Sequence, residues 1–160
     1  MIVSGRAVVI REDNIDTDVL YPGAYLNVTD VHEMTRYLFE GLDPSLRHEL
    51  GGDTILVVGR NFGAGSSREH VPQAMRASGV RALVGESFAR IFYRNCINLG
   101  LPAFLSADAA AAAETGSTVE IDTGGEITVD GTVFPAPPLP GLMLDLLERG
   151  GLEPWVRAQS

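Results

Sequence analysis

The sequence contains no lysine, one cysteine and three histidines. All 12 basic residues are arginines and stand against 21 acidic residues, which gives a formal net charge of -9. Because nucleic-acid binding needs a basic surface, this balance argues against it. One cysteine excludes an internal disulfide. It also excludes an iron–sulfur cluster held by this chain alone, since such clusters take several thiolates. So few histidines and cysteines cannot assemble a zinc-binding spacing either.

Features of exported and membrane proteins are missing as well. Residues 1–10 have neither the basic start nor the long apolar run of a secretory signal. No stretch approaches the length of a membrane span. We therefore expect a cytoplasmic protein that does not contact a membrane. Its 160 residues, 45% of them hydrophobic, suffice for one buried core. We see no internal repeat or second domain, so we predict a single domain over residues 1–160.

The hydrophobic pattern is that of a small α/β domain in which strands and helices alternate. It predicts strands at residues 6–10, 54–58, 81–84 and 102–105, and helices at residues 67–78 and 87–99. Ser87 is expected to cap the second of these helices. The alternation favours parallel pairing of the central strands.

The C-terminal third has a different pattern. Residues 118–121 and 126–129 alternate apolar and polar side chains, which predicts exposed antiparallel strands and a β-hairpin. Asp108 is expected to cap a short alanine-rich helix. Residues 141–149 are predicted to form the last helix, with inward-facing leucines at Leu142, Leu146 and Leu147.

The most informative stretch is residues 63–70, whose sequence is GAGSSREH. It follows an apolar strand and precedes a helical pattern, so it places backbone N–H groups and the positive end of a helix at one point, which suits an anion. Arg68 can bind a carboxylate through two parallel hydrogen bonds. A serine here could act as a base if its surroundings stabilised the alkoxide. The stretch therefore indicates a site for a small acid.

A structural explanation of the same residues is also open. Ser66 and Glu69 have the S-x-x-E spacing of a capping box, which satisfies free N–H groups at a helix start. Gly63 and Gly65 would then only permit a tight turn. The pattern is not a phosphate-binding loop, because no Lys-Ser/Thr pair follows it. Cys96 lies in an apolar helical stretch and is expected to be a small buried residue.

Residues 61–70 resemble the signature of the aconitase swivel domain, in particular that of the stand-alone small subunits of isopropylmalate dehydratases. Residues 13–18 and 22–26 resemble the first motif of that family, and residues 85–102 resemble its third, in the same order. The chain departs from many members at Ala64, where they have cysteine. The resemblance implies a swivel-like β/β/α fold.

The same resemblance implies a hydro-lyase that is active only with a large subunit. Its substrate would be a small hydroxy-dicarboxylic acid. The [4Fe-4S] cluster would belong to the large subunit, so this chain is expected to bind no cofactor or metal. By position, Ser66 is the proton-transfer residue, and Ser67, Arg68 and Asp18 bind substrate, with Ser67 and Arg68 on a carboxylate and Asp18 near the cleft. His70 is expected either to take part in the site or to be a buried histidine bonded to the backbone.

The resemblance also identifies a loop that reads the substrate side chain, formed by Tyr25, Leu26, Asn27, Val28 and Thr29. An arginine here would suit a substrate with an extra carboxylate, and this loop has none. Leu26 and Val28 fit an isopropyl group, whereas Asn27 leaves a polar substrate open.

Three functions remain open on the sequence. The first is an isopropylmalate dehydratase small subunit, which would serve leucine biosynthesis. The second is the same chemistry on homoaconitate, methylcitrate or a citraconate-type acid. The third is an acid-binding module without catalysis.

Overall fold

One seven-stranded mixed sheet organises the chain in the computed structural model, which describes residues 1–159. Its strands are β1 (Ile2–Ile10), β2 (Thr54–Val58), β3 (Val80–Gly85), β4 (Ala103–Leu105), β5 (Thr118–Asp122), β6 (Glu126–Val129) and β7 (Thr132–Pro135). Their order across the sheet is β4-β3-β2-β1-β5-β6-β7. The three pairs that join β1, β2, β3 and β4 are parallel. The three pairs that join β1, β5, β6 and β7 are antiparallel. The predicted α/β class with parallel central strands is confirmed.

Helices connect the parallel strands and cover the sheet. They are α1 (Thr17–Leu20), α2 (Val31–Met34), α3 (His70–Ala77), α4 (Arg90–Asn98), α5 (Ala107–Ala112), α6 (Gly141–Glu148) and α7 (Leu152–Gln159), with 3₁₀ helices at Gly23–Tyr25 and Pro44–His48. None of the helices described within residues 1–159 is long and apolar enough to span a bilayer.

All five residues of β2 are buried, as its unbroken apolar run predicts. Successive side chains point to opposite faces of the sheet. Leu56 and Val58 join the core beneath α3 and residues 15–46. Ile55 and Val57 join a second core with α5 and the C-terminal strands. The central strands are therefore held from both sides, which fixes the position of the loops that follow them.

Two helices begin later than the sequence predicts, and tertiary contacts explain both. Helix α3 starts at His70 rather than residue 67, because the preceding residues are bonded to the loop after β1. Helix α4 starts at Arg90, with Ala89 as its N-cap and no capping side chain. The prediction that Ser87 caps α4 is wrong, because its hydroxyl accepts a hydrogen bond from the backbone N–H of Asn61 at 2.8 Å.

The C-terminal predictions also need correction. Ser106, not Asp108, caps α5, because its hydroxyl accepts from the Ala109 N–H at 3.1 Å. The prediction that Leu142 faces inward is wrong, since 60% of it is exposed at a groove between α4 and α6. Leu146 and Leu147 do pack inward, against α4. Helix α6 is not the last, because α7 follows it, and β7 extends the predicted hairpin to three strands.

The glycine turn after β2 packs directly on α4. Gly63 has a φ of 86°, and a Cβ built on it would lie 2.3 Å from Cγ of Phe92. Only glycine permits this approach at this backbone angle. The Phe92 ring is buried and contacts the Phe62 ring edge to face at a centroid distance of 5.4 Å. Helix α4 therefore supports the turn from below.

Gly63→Ala is expected to destabilise the fold more than Gly131→Ala. The φ values are 86° and 87°, so both variants carry the same left-handed backbone cost, about 1–2 kcal/mol. No atom lies within 4 Å of a Cβ at position 131, whereas Phe92 blocks position 63. This overlap adds roughly 1–3 kcal/mol. Urea unfolding of the two variants measures the difference, and equal losses would contradict the packing of the turn on α4.

Candidate active site

The candidate site lies where the loop after β1 meets the glycine turn after β2. These parallel strands deliver both segments to the same edge of the sheet. The N–H groups of Gly63 and Ala64 donate to the Ile15 carbonyl at 2.8 and 3.1 Å, and the Thr17 N–H donates to the Ala64 carbonyl at 2.8 Å. The two segments are therefore joined side by side through their backbones.

A buried hydroxyl completes this junction. Thr17 is 2% exposed, and its Oγ1 donates to the carbonyl of Ser66 at 2.8 Å. Gly65 lies against Asp16, since a Cβ on it would approach the Asp16 carboxylate to 2.7 Å. The Asp16 carboxylate in turn accepts from the Asp18 N–H at 2.7 Å and caps α1. Position 65 therefore requires glycine for space as well as for its φ of 91°.

Ser66 lies at the exposed part of the turn. Its carbonyl is bonded to Thr17, whereas its hydroxyl has no hydrogen bond to another part of the described chain. The capping box does not form, because α3 begins at His70 and its N-cap, Glu69, has no capping side chain. The structural explanation of Ser66 therefore loses its support. The hydroxyl is free to meet a ligand.

Arg68 is held in place by two contacts. Its Nη1 donates to the Tyr21 carbonyl at 2.6 Å, and its Nη2 lies 2.5 Å from Oδ1 of Asp18. The Arg68 side chain is 12% exposed and its Nε is buried without a partner. A guanidinium has five N–H donors, and these contacts use two. Because a buried donor without an acceptor is costly, the remaining N–H groups favour an anion at this point.

Ser67 is bonded by a residue to which the sequence analysis gave no role. Nδ2 of Asn95 in α4 donates to the Ser67 Oγ at 3.0 Å. With its oxygen accepting, the Ser67 hydroxyl can donate its own hydrogen to an external acceptor. Asn95 lies within the third motif, at residues 85–102, which was the only available signal for it. Its contact with Ser67 depends on how α4 packs, which the sequence pattern does not give.

His70 and the loop at residues 25–29 lie together. The His70 Nε2 contacts the Val28 carbonyl at 3.2 Å, so the expected bond to the backbone is present, but His70 is half-buried rather than buried. The residues just before the loop are close to Arg68, whose Nη2 would lie 3.5 Å from a Cβ on Gly23. Leu26, Asn27 and Thr29 are exposed, whereas Tyr25 and Val28 are half-buried. The fold thus joins the predicted loop to His70 through Val28 and to Tyr21 through Tyr25, and Tyr21 in turn accepts a hydrogen bond from Arg68.

The donor set of this chain does not fit an iron–sulfur cluster. Within residues 1–159, no three histidine, cysteine, aspartate or glutamate side chains come close enough to hold a metal ion. Cys96 is fully buried in α4, and burial raises the pKa of its thiol. A thiol in that state is a poor metal ligand, because the ligand form is the thiolate. The prediction of a small buried cysteine is confirmed.

Comparisons with known proteins agree on one family. The family model described as Aconitase C-terminal domain matches residues 8–106, a range that contains all three motifs. A protein of Moorella thermoacetica named 3-isopropylmalate dehydratase small subunit is 48% identical over 98% of this chain and 95% of its own. One of the same name from Caldanaerobacter subterraneus is 45% identical, with 91% and 92% covered.

A solved structure is similar over nearly the full chain. The crystal structure of a 3-isopropylmalate dehydratase from Methanocaldococcus jannaschii matches with a TM-score of 0.91 and 35% identity, covering 99% of this chain and 95% of that one. The expected swivel-type fold is therefore confirmed.

Thr17→Val is expected to loosen the turn that carries Ser66. The variant keeps the shape of the buried side chain but loses the hydrogen bond to the Ser66 carbonyl, which costs about 1 kcal/mol. Hydrogen exchange at residues 65–68 should rise. Thr54→Val is the matched control, because Thr54 is also buried and also donates to a backbone carbonyl, that of Gly51. It should lose stability without changing exchange at residues 65–68, and equal exchange in both variants would contradict the role of Thr17.

Proposed function

The chain belongs to the aconitase C-terminal domain family, among the 3-isopropylmalate dehydratase small subunits, and we propose that Ser66 is its proton-transfer residue. As a small subunit it acts in a heteromeric hydro-lyase of leucine biosynthesis, together with a large subunit. The reaction interconverts 2-isopropylmalate and 3-isopropylmalate through isopropylmaleate. We place the enzyme in the cytoplasm.

The metal chemistry is assigned to the large subunit. This chain's single cysteine is buried, and its other potential ligands do not converge within residues 1–159. A [4Fe-4S] cluster in the partner would supply a Lewis acid for the substrate hydroxyl. This chain supplies the proton-transfer residue, the carboxylate-binding residues and the loop that selects the side chain.

The observation that carries this assignment is the exposure of Ser66 and the lack of a partner for its hydroxyl within residues 1–159. Its hydroxyl is exposed and makes no hydrogen bond to another described residue, while its backbone is held by Thr17. As a base, Ser66 would take the proton from the carbon next to the hydroxyl-bearing carbon as water is eliminated. It would return that proton in the hydration step. The backbone N–H groups at Ser66 and Ser67 are suited to stabilise the alkoxide, as preorganised donors do in oxyanion sites.

The substrate carboxylate is assigned to Ser67 and Arg68. The Ser67 Oγ accepts a hydrogen bond from Asn95, so the hydroxyl hydrogen remains available for the substrate. Arg68 has N–H groups beyond the two that contact Tyr21 and Asp18. Asp18 was expected at the cleft and pairs directly with Arg68. Its carboxylate therefore orients the guanidinium, and a substrate anion would approach the side of Arg68 that Asp18 leaves open.

The loop at residues 25–29 is assigned to the substrate side chain. Leu26 is 40% exposed, and Gly23, three residues before it, lies against Arg68; an exposed leucine suits contact with an isopropyl group. The loop contains no cation that would pair with a third carboxylate. These features favour isopropylmalate over homoaconitate, citrate or methylcitrate. A citraconate-type acid differs only by a smaller apolar group, and a pocket of this kind discriminates by roughly 1–3 kcal/mol per methylene.

Ser66→Ala is expected to abolish turnover without changing stability. Within residues 1–159 the Ser66 hydroxyl makes no hydrogen bond whose loss would weaken the fold, whereas loss of a general base lowers kcat by roughly 10²–10⁴-fold. The measurement is hydration of isopropylmaleate by the enzyme reconstituted anaerobically with its large subunit. Ser4→Ala, at an exposed serine of β1, is the control and should keep full activity.

Three results would overturn this assignment. Near-normal turnover by Ser66→Ala would remove the proton-transfer role. Full activity of the isolated chain, after rigorous removal of iron, would contradict the division of labour between subunits. An intact heteromer that turns over no hydroxy acid would favour the acid-binding module instead.

An arginine placed at position 27, 28 or 29 is expected to shift substrate preference. A fixed cation beside an isopropyl group is unpaired in a closed site, whereas beside a carboxylate it is paired. The ratio of kcat/KM for isopropylmalate to that for homoaconitate or citrate should fall at least tenfold in one of the three variants. Thr132→Arg, on the exposed edge strand β7, is the control. An unchanged ratio in all three would place substrate selection elsewhere, and a wild-type preference for a tricarboxylate would favour the second function.

A further inference from the structure

Tyr21 is a fully buried residue that binds two parts of the site at once. Its relative exposure is 0%, and it follows α1 directly. Its carbonyl accepts from Arg68, and its hydroxyl donates to the Tyr25 carbonyl at 2.9 Å. Burial and the neighbouring Tyr37 raise the pKa of this hydroxyl, so it keeps its proton and remains a donor. The sequence analysis gave Tyr21 no role.

His70 makes an equivalent contact at the other end of the same loop. Its Nε2 lies 3.2 Å from the Val28 carbonyl. Because a carbonyl can only accept, Nε2 carries the hydrogen in this contact. The His70 ring also packs on the Tyr21 ring at a centroid distance of 5.0 Å. The two donors therefore support each other and lie on the same side of the loop.

The loop's other backbone bonds are local. The Leu26 N–H donates to the Gly23 carbonyl and the Val28 N–H donates to the Tyr25 carbonyl, at 3.3 and 3.1 Å. Such bonds shape the turn but do not fix where it lies relative to Arg68. The bonds from Tyr21 and His70 come from outside the loop, and between the two carbonyls they reach lie the exposed residues Leu26 and Asn27.

We propose that Tyr21 and His70 are positioning residues for substrate selection, which hold the Tyr25 and Val28 carbonyls and so fix the position of Leu26 and Asn27, which lie between them in the chain. This inference rests on the proposed function of residues 25–29. A loop discriminates between apolar groups of different size only if its own position is defined. Loss of either donor should therefore reduce discrimination between substrates with apolar groups of different size more than it reduces turnover.

Three substitutions test the two bonds separately from packing. Tyr21→Phe removes only the hydroxyl. His70→Phe keeps a ring against Tyr21 but removes the donor, and His70→Gln restores a donor near the position of Nε2. Tyr37→Phe is the control, because the Tyr37 ring stacks on Tyr25 at 3.9 Å and its hydroxyl has no bond to the described loop.

The first readout is hydrogen exchange of the Leu26 and Val28 amides in the purified chain. Loss of one hydrogen bond should speed exchange about 5-fold in Tyr21→Phe and in His70→Phe. His70→Gln and Tyr37→Phe should stay within about twofold of the wild type. Unchanged exchange in both phenylalanine variants would overturn the claim that Tyr21 and His70 hold the loop in position.

The second readout is selectivity of the reconstituted enzyme. The ratio of kcat/KM for isopropylmaleate to that for methylmaleate should fall about 3- to 10-fold in the two phenylalanine variants. His70→Gln should restore it, while kcat for methylmaleate changes little. Faster exchange with an unchanged ratio would overturn the role in selection. If Tyr21→Phe fails to fold, the His70→Phe and His70→Gln pair decides the question alone.

Failure of the loop assignment itself is distinguishable from failure of this inference. If the arginine variants at positions 27–29 change selectivity but His70→Phe and Tyr21→Phe do not, the loop selects substrate and the positioning role is wrong. If neither set changes selectivity, the assignment of the loop under the proposed function is wrong, and the positioning role in selection falls with it.

Discussion

The backbone pairing between the loop after β1 and the glycine turn after β2 is the constraint on which the site depends. Ile15 and Thr17 bond directly to Gly63 and Ala64, and the Thr17 hydroxyl holds the carbonyl of Ser66. Parallel strands make this pairing possible because both loops leave the same edge of the sheet. The buried β2 fixes that edge from both faces. A serine whose hydroxyl has no hydrogen bond within residues 1–159 is thereby presented on a backbone held by Thr17.

One arginine, Arg68, supplies the positive charge of the site and contacts its neighbouring groups. In a chain with a net charge of -9, Arg68 is bonded to Asp18 and Tyr21 and keeps further N–H groups free. The Tyr21 side chain then continues the contacts to the Tyr25 carbonyl. A carboxylate bound by Arg68 and a side chain read by residues 25–29 would thus be placed relative to each other by shared contacts. Positioning of this kind determines reaction geometry as well as affinity.

The division of chemistry between two subunits is consistent with the surface of this one. Ser66 and Ser67 are exposed in the isolated chain, whereas proton transfer to and from carbon needs a site closed to water. The large subunit would close it. The single thiol of this chain is buried and its apolar residues form a packed core, whereas Ser66 and Ser67 lie at the surface, where a large subunit would meet them under the proposed function.

The sequence by itself determined the parallel strands, the glycine turn and the family, because apolar runs, glycines and motifs are local features of the chain. It also singled out Ser66, Ser67, Arg68 and the loop at residues 25–29 as candidate site residues, and their roles stay predictions. The tertiary structure decided where α3 and α4 begin, and it brought Asn95 to Ser67 and Tyr21 to Arg68, pairs that are 28 and 47 residues apart. These contacts depend on how helices and loops pack across the sheet, and no local pattern encodes the distance between residues so far apart in the chain.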